Sequence, residues 1–420
     1  MAELLRPFSA EFQNDPYPTY HRLRTQDPVH CANLLGFRFW VLTRYCDVVA
    51  ALRDPRLSSQ TASSGLMPTA LTEGNIFFQD PPEHTRLRTV LNKAFCHKSI
   101  EALRPRIATL IERTIDRALL IERKRGYFDV VHDLGMPVSL GAISGIMGLP
   151  QEDGERLKCW TEALAVLLDA TQILTGLKAA HRAAEEITQY FGKAVEQRVT
   201  DGSALESPPR DFLCALIAAR DTEARLTNQE LLATSIFTLM AGHETVTSAV
   251  ASGLLALLEH PTEFRRLREN PELAESAFEE MLRFDPPGQL TTKTATQDLE
   301  IAGHHIRKGQ AVVAVLAAAN RDPAQFPDPD RFDIGRTDNR HLSFSHGPHY
   351  CVGAALARLQ GQLLLSAIVR RLPDLSIEPQ RAVRKPGIVL RGLRTLPARG
   401  LPHERHLVAV GQSQGATLSE

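Results

Sequence analysis

The sequence predicts a mainly α-helical fold with small β-sheets, and three observations carry that expectation. Residues 97 to 226 repeat apolar side chains at i, i+3 and i+4, the period of helices with one buried face, with a break near Gly202 to Arg210. From Thr227 the pattern then runs without proline as far as Pro261. About thirty residues in one helix span ~45–50 Å, enough to cross the molecule. Short β-like pieces flank this helical middle, around Val29–Cys31, Phe39–Thr43, Leu299–Ile301 and Ala311–Val315.

Composition narrows the class. With 420 residues, 43% hydrophobic and 23% charged, the chain has the balance of a soluble globular protein and ample length for a large core. A formal net charge of -1 supplies no overall attraction to nucleic acid or to an anionic membrane, so neither is expected as a partner. Cys31, Cys46, Cys96, Cys159, Cys214 and Cys351 are scattered without pairing motifs, the usage of a reduced cytosol. Glu3, Arg6, Glu11 and Asp15 make the start of the chain neither a signal peptide nor a membrane anchor. A cytoplasmic monomer is the expectation.

In chain order, Asp15-Pro16-Tyr17-Pro18 opens a short helix, expected from Thr19 to Arg24, and the first two β-like pieces read as a surface hairpin. Residues 58 to 76, rich in Ser, Thr, Gly and Pro, read as a long loop, an element that in compact domains often serves function. Asp80-Pro81-Pro82-Glu83 starts the next helix, with proline ahead of an acidic first turn. On it His84 and Arg88 lie four apart and share a face. Imidazole beside guanidinium suits a ligand with paired carboxylates, since arginine binds a carboxylate bidentately; a solvated basic face is the alternative. The apolar stripe Leu164, Val166, Leu167 and Leu168 reads as core or pocket wall.

Thr227-Asn228-Gln229-Glu230 is a capping box at the head of the long helix. That helix is apolar almost all round, which marks it as buried. In its middle stands Ala241-Gly242-His243-Glu244-Thr245. Glycine there costs about 1 kcal/mol against alanine, and a buried carboxylate costs more unless partnered. Departures of this kind in an otherwise consistent helix gather at functional positions. Ala241 and Gly242 leave room for a ligand, and Thr245 can hydrogen-bond back into the helix or outward. The alternative is a Glu244 paired to an arginine elsewhere.

Glu280 and Arg283 stand three apart, but Glu83/Arg86, Glu101/Arg104, Glu122/Arg125 and Glu263/Arg266 share that spacing, so spacing alone gives the pair no role. The most pointed stretch is Phe344-Ser345-His346-Gly347-Pro348-His349-Tyr350-Cys351-Val352-Gly353. Its glycines permit positive φ or a close approach to a flat ligand. Cys351 lies just ahead of a helix-forming run, where the positive end of the dipole favours thiolate. A thiolate shielded by an aromatic such as Phe344 is a fit axial ligand for haem iron. Two other readings stand beside it: a structural buried cysteine, and a zinc site of His341, His346, His349 and Cys351, whose spacing fits no common zinc module.

The ordered set Phe-x-x-Gly-x-His-x-Cys-x-Gly resembles the haem-thiolate loop of the cytochrome P-450 family, and the resemblance extends from Trp40 to Pro397 with further motifs in the family's order. It implies a single domain over residues 1–400, a disordered tail over 401–420, and haem b held between the long central helix and the cysteine-loop helix. Cys351 would be the iron ligand, with Phe344, Gly353, Ala241 and Gly242 against the cofactor. His84, Arg88 and His349 would meet the haem propionates, joined by Lys293 where the family commonly has arginine. Glu244 and Thr245 match an acid–alcohol pair that relays protons for O–O cleavage. Glu280 and Arg283, with Arg331 from Pro329-Asp330-Arg331-Phe332, match a brace for the cysteine loop. Leu66, Met67, Leu71, Leu239, Gln289, Leu290, Thr291, Thr292 and Val389 would line the substrate pocket. Ser345 replaces a usual glycine, a mild change where no positive φ is required.

The activity so implied is insertion of one oxygen atom from O2, by hydroxylation or epoxidation, into a mid-sized apolar substrate in natural-product tailoring. Electrons would come from NAD(P)H through an external ferredoxin and ferredoxin reductase, the ferredoxin docking near Arg104, Arg106 and Arg358. The alternatives are a haem-thiolate enzyme that couples or dehydrogenates its substrate, and a non-catalytic haem sensor.

Overall fold

The computed structural model describes residues 5–34, 36–60, 72–169, 173–206, 209–220 and 226–401. Leu66, Met67 and Leu71 lie outside them, as does the tail from 402 onward. The apolar period between residues 97 and 226 resolves into the helices Arg104–Arg125, Met136–Ile146, Gly154–Ala165, Ile173–Thr200 and Phe212–Arg220. In the first of these Ile107, Ile111, Ile115 and Ala118 form the buried stripe. The first long-range difference from expectation is minor: the opening helix spans Tyr17–Gln26, because Pro18 sits in its first turn, where a missing N–H leaves no bond unmade.

The long helix is Asn228–Glu259. Thr227 accepts from the Glu230 amide at 3.1 Å while the Glu230 carboxylate accepts from the Thr227 amide at 2.8 Å, so the capping box forms in both directions. Glu230 also takes an ion pair from Arg86 on the helix Glu83–Ala94, which fixes that helix against the head of the long one. Most of the long helix is buried, including His243 and Glu244. A π-helical turn at Val130–Gly135 and the helix Met136–Ile146 pack along it. At Gly242 a side-chain carbon would lie 2.8 Å from Ile143 Cδ1, so this glycine admits a neighbouring helix.

Three of the four β-like pieces join into one sheet although they are far apart in the chain, while Leu299–Ile301 pairs with His304–Ile306 in a separate one. Val29–Leu34 pairs antiparallel with Phe37–Leu42, which pairs parallel with Ala311–Ala314; that strand pairs antiparallel with Thr291–Ala295, which meets Leu57–Ser58. The alternation of this sheet turns Lys293, opposite Val312, inward with Ala295, while Thr291 and Thr292 stay half-buried. Apolar clusters around Leu42, Leu57 and Val312, and around Tyr20, Val41 and Ala317, pack on the sheet, while a single larger cluster fills the helical part. Among the described residues no helix is long and apolar enough to cross a membrane.

Candidate active site

The cysteine loop is held by its own backbone. Ser345 N donates to Leu342 O at 2.8 Å, Cys351 N to Phe344 O at 2.8 Å and Tyr350 N to Gly347 O at 3.1 Å, and the helix Ala354–Arg371 begins three residues past Cys351. The loop needs a left-handed residue at Ser345, where φ is 62°. This corrects the reading of the serine as mild, because a Cβ in that region crowds the backbone and glycine would not. Phe344 is buried under the Arg358 guanidinium, 4.5 Å from its ring. Arg358 also donates to Glu279 at 2.8 Å and to Tyr350 Oη at 3.0 Å, and His341 reaches the same Glu279 at 3.1 Å. Burial raises Glu279, but the bonds from His341 and Arg358 outweigh it and hold the carboxyl at about 2. Arg358 is therefore part of the scaffold of the loop.

Cys351 is an exposed residue at the end of this loop. The surrounding protein pushes the thiol up, opposed by the amides of Gly353 and Ala354 and the charges of Arg88 and Arg358. The zinc alternative has no support in the geometry: among the described residues no group of three or more His, Cys, Asp or Glu side chains is placed to hold a metal ion.

Beside the loop the structure gathers four cationic or basic side chains from three segments, His84 and Arg88 sharing the helix Glu83–Ala94. The His84 and His349 rings lie 4.2 Å apart. His349 Nε2 meets Ser59 Oγ at 2.8 Å, and Lys293 Nζ donates to the same hydroxyl. Arg88 donates to the Tyr350 carbonyl and, at 3.0 Å, to Asn92 Oδ1. Burial and the neighbouring charges of Lys293, His84 and Arg88 press His349 down to about 3, and burial presses Lys293 down to about 8 against the pull of Asp80. His84 is lowered as well, by burial first. None of the four makes an ion pair among the described residues, and His84 Nε2 is buried with no hydrogen-bond partner. A donor set this rich and this short of negative charge fits a buried ligand that carries carboxylates. The residues present thus suit haem, with the thiolate of Cys351 beside the donors for its propionates. Ser59 belongs to this set and escaped sequence reasoning, because a lone serine in a polar loop carries no signal.

On the long helix Thr245 Oγ1 donates to Ala241 O at 2.6 Å, and Glu244 Oε1 accepts from Lys385 Nζ at 2.6 Å. The carboxylate is partnered, as its burial demands, but by a lysine from the C-terminal part of the chain. The demand for a cation was legible; its identity was not. Next to it His243 Nδ1 meets Ser139 Oγ at 3.1 Å, and burial lowers the ring to about 4.

Glu280 and Arg283 are wholly buried and meet through two bonds of 2.7 and 2.8 Å. Arg283 spends its other donors on the carbonyls of Asn320 at 2.9 Å, Pro329 at 2.8 Å and Arg331 at 3.1 Å. The third member of the brace differs from expectation. The Arg331 side chain is 63% exposed, while Arg336 places Nε 3.3 Å from Glu280 Oε2 with its side chain 10% exposed. Burial of Phe332 turns Arg331 outward, and the chain returns five residues later.

Two pocket expectations also fail on burial. Leu239 lies in the helical core with 0% exposure. Gln289, 2% exposed, donates from Nε2 to Pro286 O at 2.7 Å and accepts from Tyr20 Oη at 3.4 Å, so its amide is tied into the protein. Leu290, Thr291, Thr292 and Val389 remain half-buried, Thr291 and Thr292 on one strand and Leu290 and Val389 outside strands.

A mainly helical fold with a cysteine ahead of one helix and carboxylate donors beside it is the frame of a haem-thiolate enzyme. The family model described as Cytochrome P450 matches residues 11–391, and the chain belongs to the cytochrome P-450 family. It is 36% identical over 401 residues to the cytochrome P-450 monooxygenase PikC of Streptomyces venezuelae, covering 93% of this chain and 92% of that one. It is 35% identical over 386 residues to the mycinamicin IV hydroxylase/epoxidase of Micromonospora griseorubida, covering 90% and 94%. A crystal structure of P450BioI in complex with a hexadec-9Z-enoic acid ligated acyl carrier protein superposes with a TM-score of 0.86 at 33% identity, over 93% of this chain and 100% of that one. The protein is a haem-dependent monooxygenase of bacterial type that uses O2 and electrons supplied by redox partners.

Proposed function

We propose that the chain hydroxylates or epoxidises a mid-sized apolar molecule in a natural-product pathway, with Cys351 as the iron ligand. The single observation that supports this most is the pairing of Cys351 at its helix head with the carboxylate-seeking set His84, Arg88, Lys293 and His349. Haem, when bound, supplies the activation of O2 that no side chain can perform. The chain's own residues do the rest. Burial raises the Cys351 thiol, and the amides of Gly353 and Ala354 with the charges of Arg88 and Arg358 oppose that rise. Lys293 and His349, bridged by Ser59, would hold a propionate, the lysine without the bidentate fork that arginine would offer. Thr245 is placed to orient a proton donor from the hydroxyl it now gives to Ala241, and Glu244 to supply protons once released from Lys385. Leu290, Thr291, Thr292 and Val389 offer the apolar and hydroxyl surface for the substrate.

Electrons reach the site from NAD(P)H through a ferredoxin and its reductase in this reading. Arg104 is already paired with Glu101 at 2.7 Å and Arg106 donates to Gly145 O at 3.2 Å, so ferredoxin docking through them must compete with those contacts.

The test is the carbon monoxide difference spectrum of the reduced protein. A Soret band at the position of a thiolate-ligated haem is the expected result, and Cys351→Ser abolishes it. Haem that binds with the same spectrum in Cys351→Ser would overturn the assignment. Product analysis with labelled O2 then separates oxygen insertion from coupling or dehydrogenation.

A further inference from the structure

Residues 385–392 form a hairpin whose connections reach three walls of the molecule. Its base is closed by Lys385 N, which donates to Gly392 O at 3.0 Å. At its tip the amides of Ile388 and Val389 both donate to Asp169 Oδ2, at 2.6 and 2.9 Å. Asp169 is 2% exposed and ends the turn Val166–Leu168 that follows the helix Gly154–Ala165. Along its side, Gln289 N donates to Val389 O at 2.9 Å and Arg391 N to Pro287 O at 2.8 Å, which seats the hairpin on the segment leading into Thr291. From its base Lys385 grips Glu244 at 2.6 Å. One turn further along the same helix, a side-chain carbon on Gly392 would lie 2.3 Å from Ser248 Oγ, so the hairpin is pressed against the long helix as well.

The bonds at the two ends are the strong kind. Two amides on one buried carboxylate, and an ammonium on another, are charge-assisted and lose little to solvent. Between them lie only two residues of chain, Pro386 and Gly387, and backbone bonds hold Lys385, Val389 and Arg391 around them. A displacement at one end therefore has no slack to absorb it.

We propose that this hairpin is a rigid connector that couples the turn carrying Asp169 to the Lys385–Glu244 pair, with Asp169 and Lys385 as positioning residues. It rests on the reading given above of Glu244 as the proton donor and of Val389, at the tip, as pocket lining. Occupancy of the pocket at Val389 is then transmitted to the side chain that supplies protons, without a contact between substrate and Glu244.

The test uses the haem-loaded enzyme, amide hydrogen exchange by mass spectrometry, and titration with 4-phenylimidazole followed by its Soret shift. Lys385→Met is expected to raise exchange at residues 388–389, and Asp169→Ala to raise it at residue 385. Asp169→Asn, which keeps an acceptor, restores protection. Each of the first two substitutions weakens 4-phenylimidazole binding about fivefold. Combined they give about the same fivefold loss, where independent sites would multiply to about 25-fold. Exchange confined to the substituted end, or losses that multiply, overturns the connector. If Asp169→Ala does not load haem, Lys385→Met decides alone through residues 388–389. Absence of a Soret shift in the unsubstituted protein would sink the haem reading while the exchange measurement still judges the connector. Glu244→Gln, still able to accept from Lys385, tests the proton role separately through turnover.

Discussion

Ser345 shows how a single residue can stand at odds with its backbone. At φ 62° it adopts a conformation that costs a side-chain-bearing residue roughly 1–2 kcal/mol. Part of that returns when glycine is introduced, since glycine also loses more freedom on folding. Ser345→Gly is expected to stabilise the protein by about 1 kcal/mol, read as a higher urea midpoint at unchanged slope. Glu279 sets a second expectation at this scale. Its carboxyl is held at about 2, below its ordinary 4.5, by His341 and Arg358. A depressed acid stabilises the folded state above pH 4.5 and loses that contribution as pH falls toward 2. Thermal midpoints of Glu279→Gln should therefore fall less between about pH 5 and 3 than those of the parent chain.

At the scale of elements, the long helix was legible almost completely. Its capping box, its freedom from proline and its all-round apolar character are local properties, and the helix runs from Asn228 to Glu259 as they imply. Thr227→Ala is expected to cost about 1 kcal/mol through the lost cap. Glu230→Ala should cost more, because the same carboxylate also takes Arg86 from a neighbouring helix. Denaturant midpoints of the two variants rank them. What the pattern did not reveal is why Gly242 is small. Gly242 admits Ile143 of a neighbouring helix, and that packing partner shows only in three dimensions.

For the molecule as a whole, the brace around Glu280 decides whether the cysteine loop stays put. Arg283 joins the helix Ala274–Phe284 to the carbonyls of Asn320, Pro329 and Arg331. Removing it takes the closest cation from a fully buried carboxylate and leaves only Arg336 beside it, so Arg283→Met should cost about 3 kcal/mol and release haem. Arg336→Ala should also lose haem retention, whereas Arg331→Ala, altering an exposed side chain, should stay within about 0.5 kcal/mol of the parent. Haem content after purification, with the denaturant midpoint, distinguishes the two arginines.

The fold class, the order of the motifs and the identity of Cys351, His84, His349 and Lys293 as candidates could all be read along the chain. The fold class and the prominence of Cys351 rest on helix period and turn chemistry, which act over a few residues, while Lys293 and the order of the motifs were read from the family resemblance. Partners could not be read so. Lys385 on Glu244, Arg336 on Glu280, Asp169 beneath Ile388 and Val389, and Ser59 between Lys293 and His349 join residues from about 60 to more than 230 positions apart. A buried charge announces that it needs an opposite one, but many arginines and lysines could answer. Which of them arrives is settled by close packing of distant elements, and that exists only in three dimensions.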